Sequence, residues 1–207
     1  MSPRPPEPIV AIVDDDEAVL DSLQVILEAE GFAVEPFASA RAFLDRFRHE
    51  TFGCVVTDLR MPEMDGLDLL RALGAAGPMP PAIMITGHGD VPLAVRAMKQ
   101  GAIDFIEKPF APEVLIASIR NALEFPLRQG GPCPEAEALV KRLTGREREV
   151  LEQLVIGRSN KEIARALEIS PRTVEIHRAR VMEKMEAQSL SQLVRQALAA
   201  GIDPGPV

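Results

Sequence analysis

Short apolar runs alternate with segments of helical period through the first 124 residues, a pattern that calls for a parallel sheet covered by helices on both faces. Five strands are predicted, at Ile9–Asp14, Ala33–Phe37, Cys54–Asp58, Ala82–Thr86 and Asp104–Lys108. A helix is predicted after each, at Glu17–Ala29, Ala40–Arg48, Leu67–Leu73, Val91–Gln100 and Pro112–Glu124. Gly31 and Gly101 fall where helices should stop, and Pro112 where one should begin.

The run FPLRQGGPCPE from Phe125 to Glu135 has prolines, paired glycines and no period, and reads as a linker. Beyond it the strand signals vanish. Helical spacing returns at Arg146–Ile156, Asn160–Leu167, Pro171–Met185 and Ser189–Ala199. The expected organisation is therefore an α/β domain over residues 1–124, a linker over 125–138 and an all-α domain of four helices over 139–207. No internal repeat is present.

With 46% hydrophobic and 26% charged residues, the chain is globular in composition. No apolar run approaches the roughly 20 residues of a membrane span, and Met1–Pro8 lacks the apolar core of a signal peptide, so a cytoplasmic location is expected. Cys54 and Cys133 stand apart without ligand-spaced Cys or His, which argues against a zinc site or a disulfide framework. The net charge of −8 is unevenly spread. Residues 1–124 hold 10 Lys and Arg against 20 Asp and Glu, and residues 125–207 hold 13 against 11. Any nucleic acid must be met by the second half.

Three of the predicted strands end in charge: the first in Asp14 and Asp15, the third in Asp58, the fifth in Lys108. In a parallel sheet these ends share one edge, which is where open α/β folds bind ligands. Gathering carboxylates raises the cost of ionising them all, and a divalent cation relieves it; oxygen-only donors with room for water suit Mg²⁺. Asp58 can then act as nucleophile toward a phosphoryl group, with Lys108 and the Thr86 hydroxyl set to meet its oxygens. Taken singly, each acidic residue has an ordinary reading as a helix cap or favourable first turn. His88, in a loop near this edge, has no partner in the sequence and is expected to be a loop residue.

VDDD at 13–16, DLRMPEMDG at 58–66, TGHGD at 86–90 and EKPF at 107–110 together resemble the receiver domain of response regulators, over about residues 7–124. The resemblance implies the CheY-like (flavodoxin-like) fold, Asp58 as phosphoacceptor, and Asp14 with Asp15 as the acidic pocket. It further implies Mg²⁺ on Asp15, Asp58 and the backbone carbonyl of Arg60, with Asp14 acting partly through water. Asp16 matches no required position and reads as a surface charge. Thr86 and Phe105 are implied to form a switch, in which the ring turns inward and reshapes the face made by the fourth helix and fifth strand. Lys108-Pro109 is a candidate cis peptide that would aim the lysine.

In the second half, a short EIS turn leads from one helix into another opened by Ser170-Pro171, a helix-turn-helix arrangement. Pattern alone leaves a protein-binding bundle open. LTGREREVL, GRSNKEIA and SPRTVEIHR resemble the LuxR-type helix-turn-helix of the FixJ/NarL response regulators over about 139–200, with the most FixJ-like wording in SPRTVE and SLSQLVRQAL. The resemblance implies a recognition helix from Pro171 to about Lys184. Its expected DNA-facing residues are Arg172, Thr173, Glu175, Ile176, Arg178, Ala179, Arg180 and Lys184, with Asn160 and Lys161 on the preceding helix. His177 is expected to touch backbone or be partly buried.

The partners so implied are a sensor histidine kinase, double-stranded promoter DNA and RNA polymerase. The chain is expected to be a monomer at rest and a homodimer when phosphorylated, and to regulate, chiefly activate, transcription. A phosphatase acting on an external substrate is disfavoured because Arg60 stands where a second aspartate would be needed. A relay module and a phosphorylation-independent regulator are the other rivals; operator binding by the isolated residues 135–207 would discriminate against the first, and the intact set of Asp15, Asp58, Thr86 and Lys108 counts against the second. Catalysis is expected to be confined to the chain's own phosphorylation and dephosphorylation.

Overall fold

The computed structural model describes residues 8–87, 91–124 and 134–202. His88, Asp90, Cys133 and residues 125–133 of the expected linker lie outside the described residues. The chain divides into two compact units, residues 1–88 with 100–127 and residues 89–99 with 128–207.

The first unit is built on five parallel strands: β1 (Ile9–Val13), β2 (Ala33–Phe37), β3 (Cys54–Asp58), β4 (Ala82–Thr86) and β5 (Ala102–Glu107). Their order is β2-β1-β3-β4-β5. The helices in this part of the chain are α1 (Glu17–Ala29), α2 (Ala40–Phe47), α3 (Gly66–Ala76), α4 (Val91–Lys99) and α5 (Pro112–Glu124). All five strands and five helices appear where the alternation predicts them, with ends shifted by a few residues. The largest shift is in α3, which starts at Gly66 and runs to Ala76 instead of Leu67–Leu73.

One face of the sheet packs Val10, Ile12, Cys54, Val56, Ile83, Ile85 and Ile106 against Leu20, Leu23 and Leu27 of α1 and Leu115 and Ile119 of α5. The period of two in the strands meets the spacing of three and four in the helices, and the facing side chains bury their apolar area against one another. Phe37, Phe43 and Phe52 pack edge to face, with ring centroids 5.2–5.9 Å apart. Cys54 is strand core, as expected, and burial pushes its thiol pKa up to about 12, so it is an inert apolar filler.

Asp16 is exposed, as a surface charge should be, but it also does structural work. It is the N-cap of α1, its carboxylate accepting from the Ala18 N–H at 2.9 Å. The helix therefore begins two residues beyond the strand-end pair Asp14 and Asp15, which keeps both at the sheet edge.

In the second unit the four expected helices are α7 (Gly145–Val155), α8 (Asn160–Ala166), α9 (Pro171–Lys184) and α10 (Leu190–Ala199). A short helix, α6 (Pro134–Val140), precedes them. Its first five residues fall inside the stretch expected to be linker. Proline at the first position and Glu135 and Glu137 in the first turn favour a helix start, and buried Ala136 and Val140 hold it to the domain. Val150, Leu151, Leu154, Val155, Ile163, Val174, Val181 and Leu193 form the core. Thr144 with Glu147, and Ser159 with Glu162, make reciprocal capping boxes that start α7 and α8. The turn between α8 and α9 is closed by Glu168 at φ 54°, with the Ile169 N–H bonded to the Ala164 carbonyl at 3.0 Å.

Candidate functional site

The order β2-β1-β3 reverses the chain's progress across the sheet, so β1 and β3 flank the topological switch point, and the crevice beyond their carboxyl ends is the natural ligand site of this architecture. Asp14 follows β1, Asp58 ends β3 and Lys108 follows β5. The Lys108 ammonium donates to Asp58 Oδ1 at 2.7 Å and to Asp14 Oδ2 at 3.1 Å, joining three chain positions 50 and 94 residues apart. The second Asp58 oxygen accepts from the Arg60 N–H at 2.6 Å, and Asp14 Oδ1 from the Asp16 N–H at 3.0 Å. The Lys108-Pro109 peptide is cis, as the sequence suggested.

Burial sets the electrostatics. Asp14 is only 5% exposed, and removal from water raises its carboxyl pKa, although bonds from Asp16 and Lys108 oppose the rise. Burial works against the charged form of Lys108, but the bonds and charges of Asp58 and Asp14 outweigh it and the ammonium pKa is raised. Lys108 therefore stays charged between the two acids.

Neighbouring residues divide sharply. Just past the end of β1, Asp14 is buried and Asp15 is exposed. Arg60 is exposed, Phe105 is half-buried, and Thr86 at the end of β4 is 1% exposed. The Thr86 carbonyl accepts from the Lys108 N–H at 2.7 Å, tying those two positions through backbone. The donor set at this edge is oxygen only, which fits a hard cation such as Mg²⁺. Among the described residues no three His, Cys, Asp or Glu side chains lie close enough together to hold a metal ion. Each Asp58 oxygen accepts one hydrogen bond, from Lys108 or from the Arg60 N–H, which leaves further lone pairs on both.

Gly66, quoted in a motif but not singled out as a site residue, proves to support Asp58. A Cβ there would stand 2.5 Å from the Asp58 carbonyl oxygen and 3.1 Å from Leu59 Cα, both backbone atoms that cannot step aside. Its N–H donates to the Leu59 carbonyl at 2.9 Å. Gly66→Ala is expected to destabilise the receiver by about 1–3 kcal/mol and to slow phosphoryl acceptance at Asp58. Urea unfolding and labelling by acetyl phosphate check the two effects. The signal available in the sequence was a glycine directly before a helix predicted to start at Leu67.

In the second unit the expected DNA-facing residues separate into two groups. Arg172, Glu175, Ile176, Ala179 and Arg180 are exposed on one outward stripe of α9, at i, i+3, i+4, i+7 and i+8. Lys161 is exposed on α8. Thr173, Arg178 and Lys184 are half-buried, and so is Asn160. Arg178 donates to Asn160 Oδ1 at 2.6 Å, and burial lowers the Arg178 pKa against the raising effect of Glu175. Lys184 donates to Glu147 Oε2 at 2.6 Å. Arg172 pairs with Glu175 at 3.3 Å, but 83% exposure of its side chain leaves it available to an incoming phosphate. His177 is half-buried with Nδ1 unpartnered, matching the expectation of partial burial.

Residues 10–120 match the response regulator receiver domain, and residues 141–197 match the bacterial regulatory proteins of the luxR family. This chain is a LuxR-type response regulator. The response regulator is 50% identical over 200 residues to the transcriptional regulatory protein FixJ of Bradyrhizobium diazoefficiens, covering 93% of this chain and 96% of that protein. It is 52% identical over 198 residues to FixJ of Rhizobium meliloti, covering 94% and 97%. Among solved structures, full-length FixJ from B. japonicum is 49% identical with a TM-score of 0.53, covering 94% of this chain and 97% of that one. The response regulator therefore couples a receiver to a LuxR-type DNA-binding domain and is related to FixJ transcriptional regulators. None of its described helices is long and apolar enough to cross a membrane.

Proposed function

We propose that this response regulator accepts a phosphoryl group on Asp58 from a sensor histidine kinase, passes from monomer to homodimer, and binds promoter DNA to regulate, chiefly to activate, transcription with RNA polymerase in the cytoplasm. The observation that supports the reading most is the bridge from Lys108 to both Asp14 and Asp58 at the β1/β3 crevice.

A charged ammonium already bound to the acceptor carboxylate is placed to follow the phosphoryl group once it arrives. An Asp58 carboxylate oxygen attacks phosphorus, the bond to the donor's nitrogen breaks, and Lys108 pairs with the new phosphoryl oxygens. The Thr86 hydroxyl bonds another of these oxygens, and space vacated by its inward movement lets the Phe105 ring turn in. Mg²⁺, held by Asp14, Asp15, Asp58 and the Arg60 carbonyl, would supply charge neutralisation when bound. Hydrolysis of the acyl phosphate resets the chain, so its catalysis acts on itself alone.

On DNA, the exposed stripe of α9 meets base edges and phosphates, with Arg172, Arg180 and Lys161 as the cationic contacts and Glu175, Ile176 and Ala179 over the groove. One reader carries little net positive charge, so two copies on a two-fold site are needed for tight binding. The proposed organisation is a receiver over 1–124, a linker that follows it, and a reader that begins with α6 at Pro134.

Adding beryllofluoride and Mg²⁺ to the wild-type chain tests this function. Sedimentation is expected to show a dimer only with the mimic, and operator fragments selected from genomic DNA are expected to bind at least tenfold more tightly to the mimic-loaded chain. A chain that stays monomeric and binds DNA equally in both conditions overturns the proposal.

A further inference from the structure

The register of β5 slips by one residue near its start. Ala102 faces Ala82, but Ile83 faces Asp104, so Ile103 is an extra residue against β4. Such a bulge bends a strand and re-aims the side chains beside it. Asp104 is the first residue after it. One carboxylate oxygen accepts from the Phe105 N–H at 2.9 Å, and the other from the Ser118 hydroxyl of α5 at 2.6 Å. Ser118 is 5% exposed, with Leu115, Ile119 and Ala122 buried around it on the same helix.

Ile106 packs with α5 in the core, and Asp104 reaches α5 through Ser118, so both lie on the α5 face. Alternation then sends the Phe105 ring to the opposite face of the sheet. The backbone of Phe105 is held from the α5 side while its ring is on the other.

We propose that Asp104 and Ser118 form a clasp that positions Phe105 and holds its ring out in the unphosphorylated chain; the proposal rests on Phe105 being the switch residue. The rotamers open to a side chain depend on its own φ and ψ, and the Asp104 carboxylate fixes the Phe105 N–H. The Ser118 hydroxyl in turn fixes that carboxylate through a short, charge-assisted bond, which is among the stronger hydrogen bonds a protein makes. Turning the ring in works against this tether. Losing the Ser118 bond is expected to shift the ring's two-state balance by about tenfold. Ser118 and Asp104 are positioning residues, since neither touches the phosphoryl site.

The test labels the full-length chain with 4-fluorophenylalanine and follows the Phe105 ¹⁹F line, identified by its loss in Phe105→Leu. Wild type, Ser118→Ala, Asp104→Asn and Ser118→Thr are compared with and without beryllofluoride and Mg²⁺. Without the mimic, the line in Ser118→Ala is expected to move toward the position that the wild type reaches only with it, and Asp104→Asn, which keeps one acceptor oxygen, to move part of the way. Ser118→Thr retains the hydroxyl and should stay with wild type. Dimerisation of Ser118→Ala should need about tenfold less protein. A wild-type line that responds to the mimic, beside mimic-free Ser118→Ala and Asp104→Asn lines that coincide with wild type, overturns the clasp alone. A wild-type line indifferent to the mimic overturns the switch itself, and the clasp's control with it.

Discussion

Acetyl phosphate in the presence of Mg²⁺ is expected to label the wild-type chain, to label Lys108→Ala roughly a hundredfold more slowly, and not to label Asp58→Ala at all. The three outcomes follow from what each side chain does in the crevice. In the proposed reaction Asp58 supplies the oxygen that becomes bonded to phosphorus, so alanine would leave no acceptor. There Lys108 would stabilise charge on the transferred group without a covalent bond to it, so its loss is expected to slow acceptance without abolishing it.

The same bridge gives the prediction a second arm. Lys108 holds a positive charge between Asp14 and Asp58 at 3.1 and 2.7 Å, the charge that a metal ion must displace or tolerate. Removing it is expected to strengthen Mg²⁺ binding about tenfold, since one unit charge near a divalent ion is worth about that much even in a water-like dielectric. Calorimetric titration of Mg²⁺ into wild type and Lys108→Ala checks this. Weaker Mg²⁺ binding in the variant would mean that Lys108 chiefly organises the carboxylates and does not compete with the metal.

The second large effect is expected in the reader. Glu147 is 2% exposed, yet ionised. The Lys184 bond at 2.6 Å, followed by the Thr144 N–H at 2.8 Å, lowers its pKa to about 2 from the ordinary 4.5. A carboxylate depressed in the folded state stabilises it above the unfolded value, and this stabilisation is lost as pH falls from about 4.5 through about 2. Glu147→Gln removes the charge at all pH values and is expected to cost about 1.5–3 kcal/mol, the lower part of that range being favoured because the 35% exposed Lys184 is partly screened by water. For a unit of this size the melting point should fall by roughly 10 °C. Far-ultraviolet circular dichroism against temperature, at pH 7 and pH 3, measures both: the variant should lose most at pH 7 and less at pH 3.

Lys184→Ala separates structure from DNA contact at the same position. If Lys184 anchors α9 through Glu147, the variant loses stability while the salt dependence of DNA binding keeps its slope. A phosphate contact would instead lower that slope by about one unit.

Much of the fold was legible in the sequence because helix and strand periods are local properties. The alternation of apolar runs with helical segments placed β2, β3 and β4 as they stand. Glycine and proline marked several ends for equally local reasons. Helix α6 escaped because proline and glycine punctuation before it masked a segment of only seven residues, too short for a period to declare itself.

The sequence by itself determined the two-part division, the charge asymmetry, and the placing of Asp14, Asp15, Asp58 and Lys108 at strand ends, since strand ends in a parallel sheet share an edge whatever the packing details. Only the tertiary structure decided which of those groups meet. Asp14 turns in to Lys108 while Asp15 turns out, and Gly66 lies against the Asp58 carbonyl because the chain doubles back there. On α9, spacing named a helix with several cations but could not say which of them pair within the protein. Arg178 pairs with Asn160, 18 residues away, and Lys184 with Glu147, 37 residues away, leaving Arg172 and Arg180 outward. Period is written in neighbouring residues, whereas an ion pair is fixed by where distant segments come to rest, and that placement is set by the packing of the whole core.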